Sequence, residues 1–289
     1  MSIKKILVTG ANGQLGWELS QLVSSYPTFE FIFLDRTGMD LSKPNTFEKI
    51  INDIAPDIII NTAAYTAVDK AESEKEMAHT VNALAVGAIA RISKQKGIRF
   101  ITYSTDYVFN GVSSIPFLPD TPLQPINSYG SSKAEGEQLA LQENEASIII
   151  RTSWVFSSHG NNFVKTMIRL MKEREQLKIV DDQAGRPTYA RDLASVTLKI
   201  IEGLNGGKNI QGIYHYANTG ETTWYQFAEK IKALAGLSCD LIAITTAEFP
   251  TPAARPGYSV LDTHKIENEL AIAIPHWETS LEQCIQKLS

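Results

Sequence analysis

Cysteine is nearly absent: the 289-residue chain holds two, Cys239 and Cys284, far apart and with no second Cys or His at ligand spacing. That scarcity suits a reducing cytoplasm and argues against a structural zinc. Long apolar runs are missing too. None approaches the ~18–20 residues of a membrane span. At the start of the chain only Ile6–Val8 are continuously apolar before Thr9 and Gly10, far short of the apolar segment of a signal peptide. Dense blocks of Lys or Arg are also lacking. With 27 Lys+Arg against 32 Asp+Glu the net charge is −5 and the pI about 5.6, which offers a nucleic-acid backbone no basic surface. The expectation is a soluble cytoplasmic protein with neither nucleic-acid nor membrane partners. There is no internal repeat and no low-complexity linker.

What is present is ordinary globular composition, 43% hydrophobic and 20% charged. The length fits one large α/β domain or a domain with a smaller lobe attached. Apolar runs of strand length fall at 4–10, 29–35, 56–64, 98–105 and 146–154. Helical patterns lie between them, at 14–25, 45–54, 82–97 and 131–144. Strands that are apolar throughout, alternating with helices, indicate a parallel sheet covered on both faces and doubly wound through right-handed crossovers. After about Trp154 the rhythm loosens, with helices expected at 161–175, 193–204, 222–236 and 279–289 and strands at 177–182 and 212–218. The fold class is therefore α/β, a Rossmann-like doubly wound parallel sheet with a smaller C-terminal lobe.

The stretch "VTGANGQLG" places Gly10, Gly13 and Gly16 between the first strand and the first helix. Glycines there let the chain turn tightly and bring its N–H groups against a pyrophosphate, which the helix N-terminus also attracts. An apolar strand before and an amphipathic helix after are the context that a dinucleotide-binding loop requires. Asp35 ends the second strand 19 residues after Gly16. An acid at that distance accepts from the ribose hydroxyls of NAD, whereas its neighbour Arg36 suits the 2′-phosphate of NADP. The two residues leave NADPH and NADH both open.

Tyr129 and Lys133 stand at i and i+4 in "YGSSK", on one helix face just after the fourth strand. An unperturbed tyrosine is a poor acid or base at neutral pH. A lysine ammonium beside it favours the phenolate. Ser104 and Thr105, at the end of the fourth strand, offer a hydroxyl to a substrate carbonyl oxygen. Alone, a Y-x-x-x-K is common. After the fourth strand of a nucleotide-binding sheet it reads as a proton donor with its lysine.

The glycine loop, the strand-end hydroxyls and the Y-x-x-x-K resemble the extended short-chain dehydrogenase/reductase superfamily. More narrowly, "GANGQLGWEL", "NTAAYTAVDKAE", "YSTDYVFNG", "YGSSKAEGE", "RTSWVF", "DQAGRPTYARDLA" and "YHYANTGETTWYQFA" resemble the dTDP-4-dehydrorhamnose reductase family, in order over nearly the whole chain. The resemblance implies NAD(P)H-dependent reduction of the C4 keto group of dTDP-4-dehydro-β-L-rhamnose to dTDP-L-rhamnose. It implies Tyr129 as proton donor to the C4 oxygen, Lys133 holding the nicotinamide ribose and lowering the Tyr129 pKa, and Thr105 binding the C4 oxygen. Cofactor contacts would come from Gly13, Gln14, Leu15, Asp35, Asp40, Leu41, Ala63, Ala64, Tyr65 and Tyr103, and substrate contacts from Asp106, Trp154 and Arg255. Asn82 matches a helix asparagine with a structural or water-binding role. Residues 1–153 would form the NAD(P)-binding domain, completed by elements near 177–200 and 222–237, and 154–289 mainly the substrate-binding lobe. A reductase or epimerase of another nucleotide sugar, or a non-catalytic NADP-binding regulatory subunit, would share this fold. The partner implied is a small-molecule nucleotide sugar, the assembly a monomer or homodimer.

Other polar residues have plainer readings. Asp40 also suits a cap for the helix that follows, and Trp154 in an apolar strand suits the core. Asp69, Lys70 and Glu72 read as a solvated helix start, His215 as a core histidine, Asp181 and Asp182 as structure. Two departures from the family stand out. Its "RPxNS" segment is here "RPGYS", with Tyr258 where Asn is usual. Where some members bind magnesium through three interface acids, this chain aligns Glu18, Asp192 and Lys287, with Glu282 as a possible substitute. A lysine in the third place disfavours the cation, so no metal site is assigned.

Overall fold

The computed structural model describes residues 4–288 of the chain. The first three residues, weighed above against a signal sequence, and Ser289, at the end of the last expected helix, lie outside the described residues. The first half comprises β1 (Lys4–Thr9), α1 (Gln14–Ser20), β2 (Phe29–Leu34), α2 (Phe47–Ile54), β3 (Ile58–Asn61), α3 (Val68–Ala71), α4 (Lys75–His79), α5 (Ala85–Lys96), β4 (Arg99–Thr105), α6 (Ser128–Glu143) and β5 (Ile148–Thr152). The second half continues through β6 (Val155–Phe156), α7 (Phe163–Glu173), β7 (Gln176–Val180), β8 (Ala184–Gly185), β9 (Thr188–Tyr189) and α8 (Ala190–Asn205). It closes with β10 (Gly212–His215), β11 (Thr222–Thr223), α9 (Trp224–Leu234), β12 (Asp240–Ile244), α10 (His264–Leu270) and α11 (Trp277–Gln286).

Six parallel strands form the main sheet, in the order β10-β5-β4-β3-β1-β2. Runs such as Ile58–Ile60 and Ile148–Ile150 are buried completely because both faces are covered. On one face Val8, Ile60, Ile101 and Ile150 pack with Leu19 of α1, Leu198 and Ile201 of α8 and Ile266 of α10. On the other, Leu7, Ile59, Phe100 and Ile149 pack with Phe47 and Ile51 of α2 and Ile89 of α5. Each such side chain contributes about 1.5–3 kcal/mol on leaving water. Strand order reverses between β1 and its neighbours β2 and β3, and at such a switch point the carboxyl ends of the strands open a crevice.

The late segments expected to complete the sheet divide. β7, within 177–200, pairs instead with β12 in a separate two-stranded parallel sheet, and α8 alone of that stretch covers the main sheet. α9, within 222–237, belongs to the lobe: Phe227, Ala228 and Ile231 pack with Met167, Leu177, Trp277 and Leu281. The sixth strand of the sheet is β10. Trp154 is also not in a strand. β5 ends at Thr152, and Trp154 sits in the left-handed region at φ 48°. The helix expected from residue 82 begins earlier, as α4, and passes through a single π turn at Thr80–Leu84 into α5. No helix among the described residues is long and apolar enough to cross a membrane.

Candidate active site

The crevice at the switch point is a cleft of about 810 Å³. Gly10, Gly13, Gln14, Leu15, Asp35, Arg36, Asp40, Leu41, Ala63, Ala64, Tyr65, Tyr103, Tyr129 and Lys133 all line it. Gly10 turns the chain at φ 75°, and a Cβ there would lie 2.7 Å from the Ala63 nitrogen. α1 follows Gly13 with no side chain capping it, which leaves its first N–H groups without a side-chain acceptor. Gly16 does not line the cleft. Its Cβ would fall 2.3 Å from the Gly10 carbonyl oxygen, so its part is close packing of helix on loop.

Within the cleft lining, Asp35 is organised as an acceptor. Its Oδ1 receives the N–H and hydroxyl of Thr37 at 2.9 and 2.6 Å, and its Oδ2 the Asn12 amide at 3.2 Å. These bonds, the Thr37 hydroxyl foremost, hold its pKa below the usual carboxylate value. Arg36 is exposed and lies 3.5 Å from Asp40. Asp40 caps no helix; it closes a turn by accepting from the N–H and hydroxyl of Ser42. Asp35→Ala is expected to weaken NADH more than NADPH, because it removes an acceptor for ribose hydroxyls and a repulsion toward a 2′-phosphate. Fluorescence titrations with the two cofactors check this, and equal losses would place Asp35 away from the ribose.

α6 carries Tyr129 and Lys133 into the same cleft. The Asn127 side chain caps it by accepting from the Gly130 N–H at 2.7 Å, and Glu72 accepts from the Ser128 N–H and hydroxyl at 2.8 and 2.9 Å. Tyr129 is 9% exposed and meets the Tyr107 ring edge-on at 5.7 Å. Burial pushes its phenol up to about 12, against the pull of the Thr105 hydroxyl. The net shift is upward, opposite in direction to the lowering expected from Lys133. The Lys133 ammonium is 2.6 Å from the Tyr103 carbonyl, to which it donates, and burial brings its own pKa down to about 8. Thr105 and Asp106 lie beside Tyr129 but are buried and outside the cleft lining. Burial pushes Asp106 up to about 6, while the Thr105 hydroxyl donates to its Oδ1 at 2.9 Å. Its Oδ2 makes no hydrogen bond among the described residues.

Asn82, in the π turn, ties three pieces together. Its Oδ1 accepts from the Tyr65 N–H at 2.9 Å, and its amide donates to the Tyr65 carbonyl and to the Ser132 hydroxyl, both at 3.0 Å. Asp69 and Glu72, expected in solvent, are structural: Asp69 accepts from Arg255 Nη2 at 2.9 Å, and Glu72 anchors the start of α6. Arg255 therefore has a protein partner and does not line the cleft. Trp154 also stands outside the lining; it stacks on Trp224 at 3.6 Å, at the edge of the lobe core.

Several cleft residues escaped the sequence reading, among them Asn12, Met39, Met77, Val81, Gly160 and Asn161. The last two belong to a strap from the lobe that crosses the glycine loop. There His159 stacks on Trp17 at 4.9 Å, and Asn162 donates to Gln14 Oε1 at 3.0 Å. Glu18 is fully buried under this strap, accepting from Ser157 at 2.7 Å, with Arg191 3.5 Å away. Asp192 accepts from Asn218 and Ser280 at 2.8 and 2.5 Å, and Glu282 is exposed. No cluster of three His, Cys, Asp or Glu side chains among the described residues has the arrangement of a metal site. Turnover and sedimentation are expected to be unchanged by EDTA. A gain of rate or of dimer on adding magnesium would show that these acids do gather a cation.

The chain matches the family described as RmlD substrate binding domain over residues 4–289. The dTDP-4-dehydrorhamnose reductase of Burkholderia thailandensis is 40% identical, over 98% of this chain and 99% of that one. The crystal structure of a dTDP-4-dehydrorhamnose reductase from Clostridium acetobutylicum is similar at a TM-score of 0.93 and 39% identity, covering 98% of this chain and 99% of the other. The enzyme from Bacillus anthracis in complex with NADP is similar at 0.93 and 37%, with the same coverage. On this full-length likeness, the chain belongs to the dTDP-4-dehydrorhamnose reductase family.

Proposed function

We propose that the chain is an NAD(P)H-dependent reductase that converts the C4 keto group of dTDP-4-dehydro-β-L-rhamnose to the alcohol of dTDP-L-rhamnose. The observation that carries this reading is that Tyr129 and Lys133 line a nucleotide-sized cleft together with Asp35, with the buried Thr105 hydroxyl bonded to Tyr129 behind them. The glycine loop, the open start of α1 and Asp35 fit a dinucleotide. The nicotinamide, when bound, supplies the hydride.

The chain's own residues do the rest. The glycine loop and the residues at 63–65 orient the cofactor, and Lys133 holds its nicotinamide ribose. Thr105 and Tyr129 bind the C4 oxygen. Tyr129, protonated throughout the neutral range, gives its phenolic proton to that oxygen as charge develops there. Asp106, buried beside Tyr129, holds the Thr105 hydroxyl in place as its acceptor. Trp154 supports the lobe beside the cleft through its stack on Trp224, and Arg255 orders the nearby loop. This reading carries with it a small-molecule partner, a monomer or homodimer, and a cytoplasmic location, with which the two free, buried cysteines agree. The test is loss of NADPH absorbance with dTDP-4-dehydrorhamnose, with the product identified by NMR. Turnover confined to another nucleotide sugar would reassign the substrate, and cofactor binding without any turnover would favour a regulatory subunit.

A further inference from the structure

One turn beyond Lys133, α6 carries Glu137, whose side chain is 3% exposed and is paired with the equally buried Arg151 of β5. Arg151 donates Nε to Oε1 and Oε2 at 2.9 and 3.1 Å and Nη2 to Oε2 at 2.7 Å. Its Nη1 donates to the Pro119 carbonyl at 2.9 Å and to His215 Nε2 at 3.1 Å. The Phe109 ring lies 5.1 Å from the guanidinium carbon. An arginine is always a donor, so His215 is the acceptor and is neutral. Burial, with the Arg151 charge second, holds its pKa down to about 3. The carboxylate is thus clamped in one orientation from β5.

Glu137 and Lys133 both line a small chamber of about 10 Å³, the size of one water. Asn82, Thr102, Tyr103, Ser104, Lys133 and Glu137 line it. The Ser104 hydroxyl faces both this chamber and the cleft, and has no hydrogen-bond partner among the described residues. A buried ion pair is costly to desolvate, and an apolar pair of similar volume is often as stable or more so. Its presence beside a buried ammonium therefore calls for an electrostatic reason.

We propose that Glu137, clamped by Arg151, is a positioning residue for Lys133: its carboxylate is the counter-charge that keeps the Lys133 ammonium charged in a buried site. The groups around Lys133 leave this part to Glu137. From β4 the Tyr103 carbonyl accepts from it, and Ser104 and the π-turn residue Asn82, both uncharged, share the chamber lining with it. On its own helix Tyr129 is a phenol held protonated, and Asp106, after β4, acts on Tyr129. From β5 comes Arg151, itself bound to Glu137. Burial disfavours the ammonium, and the Glu137 charge is what opposes it.

The kinetic part of this inference rests on the proposed reductase activity; the titration part does not. Full-length protein labelled with ¹³Cε-lysine gives the Lys133 resonance, assigned by its loss in Lys133→Met. Its midpoint is expected to fall by about one pH unit or more in Glu137→Gln. The double variant Glu137→Gln/Arg151→Met, which leaves no unpaired buried charge, should show the same fall, and Glu137→Asp should recover most of it. The alkaline limb of kcat/KM for the dehydrorhamnose nucleotide should move down with the midpoint, with activity retained at mildly acidic pH. A Lys133 midpoint unchanged in the folded double variant overturns the proposal. If the wild-type protein does not reduce that nucleotide, the substrate assignment fails, and the lysine titration still decides the part of Glu137.

Discussion

Tyr129→Phe is expected to lower kcat by about 10²–10⁴-fold, the usual worth of a positioned general acid, while leaving cofactor affinity intact. The ring is held by its neighbours: Tyr107 packs edge-on against it, and Asn127 and Glu72 fix the first turn of α6. Phenylalanine fills the same space, so the loss isolates the proton. A phenol pushed up to about 12 keeps its proton at neutral pH, where a depressed one would already have lost part of it. The acceptor is an alkoxide about as basic as hydroxide and far more basic than a phenolate, so transfer runs downhill even from this weak acid. Steady-state rates with the dehydrorhamnose nucleotide and NADPH fluorescence titration measure the two quantities separately. Near wild-type turnover would sink the assignment of Tyr129.

Gly136→Ala is expected to destabilise the protein and cripple the site together. The new Cβ would lie 2.0 Å from the carbonyl oxygen of Asn82, and that oxygen is backbone, with no rotamer to turn it away. Overpacking of this kind costs about 1–3 kcal/mol, more than the ~1 kcal/mol that alanine gains over glycine in a helix. The only relief is for α6 to move off the π turn. That movement would carry Tyr129 and Lys133 with it and break the Asn82 bonds to Tyr65 and Ser132. Gly87→Ala is the control: its Cβ would meet the Leu139 side chain at 3.0 Å, and a side chain can give way. Thermal melts of both variants and their kcat values test this. A Gly136→Ala protein as stable and active as the wild type would show that the helix has room to slide.

The five first strands were legible from their apolar runs, and in β1, β3 and β5 those runs are buried on both faces, the pattern of a covered parallel sheet. The cofactor cleft was legible for a related reason: its residues sit at strand ends, where local sequence places them. What stayed hidden depends on distant partners. Asp69 and Glu72 look like surface charges until Arg255 and Ser128 are folded against them. β12 is short and partly exposed, and only β7, more than sixty residues earlier, makes it a strand. Glu18 sits in an amphipathic helix whose polar side should face water, but the strap at 157–162 buries it. Trp154 followed an apolar run without a turn residue, so nothing local announced its left-handed backbone.

The place of β10 has a consequence for how the chain is made. The sheet's edge strand is residues 212–215, and the helix covering its neighbours is 190–205, yet both emerge after much of the lobe has been synthesised. When residue 153 has left the ribosome, β5 is paired on one side only, with β4; its other edge lacks β10 and the Ile101–Ile150 face lacks α8. At about 5–20 residues per second the nascent chain waits roughly 3–12 s with that edge and face open. A fragment ending near residue 153 would stay in this state permanently, with an open strand edge and a bare apolar face to drive aggregation.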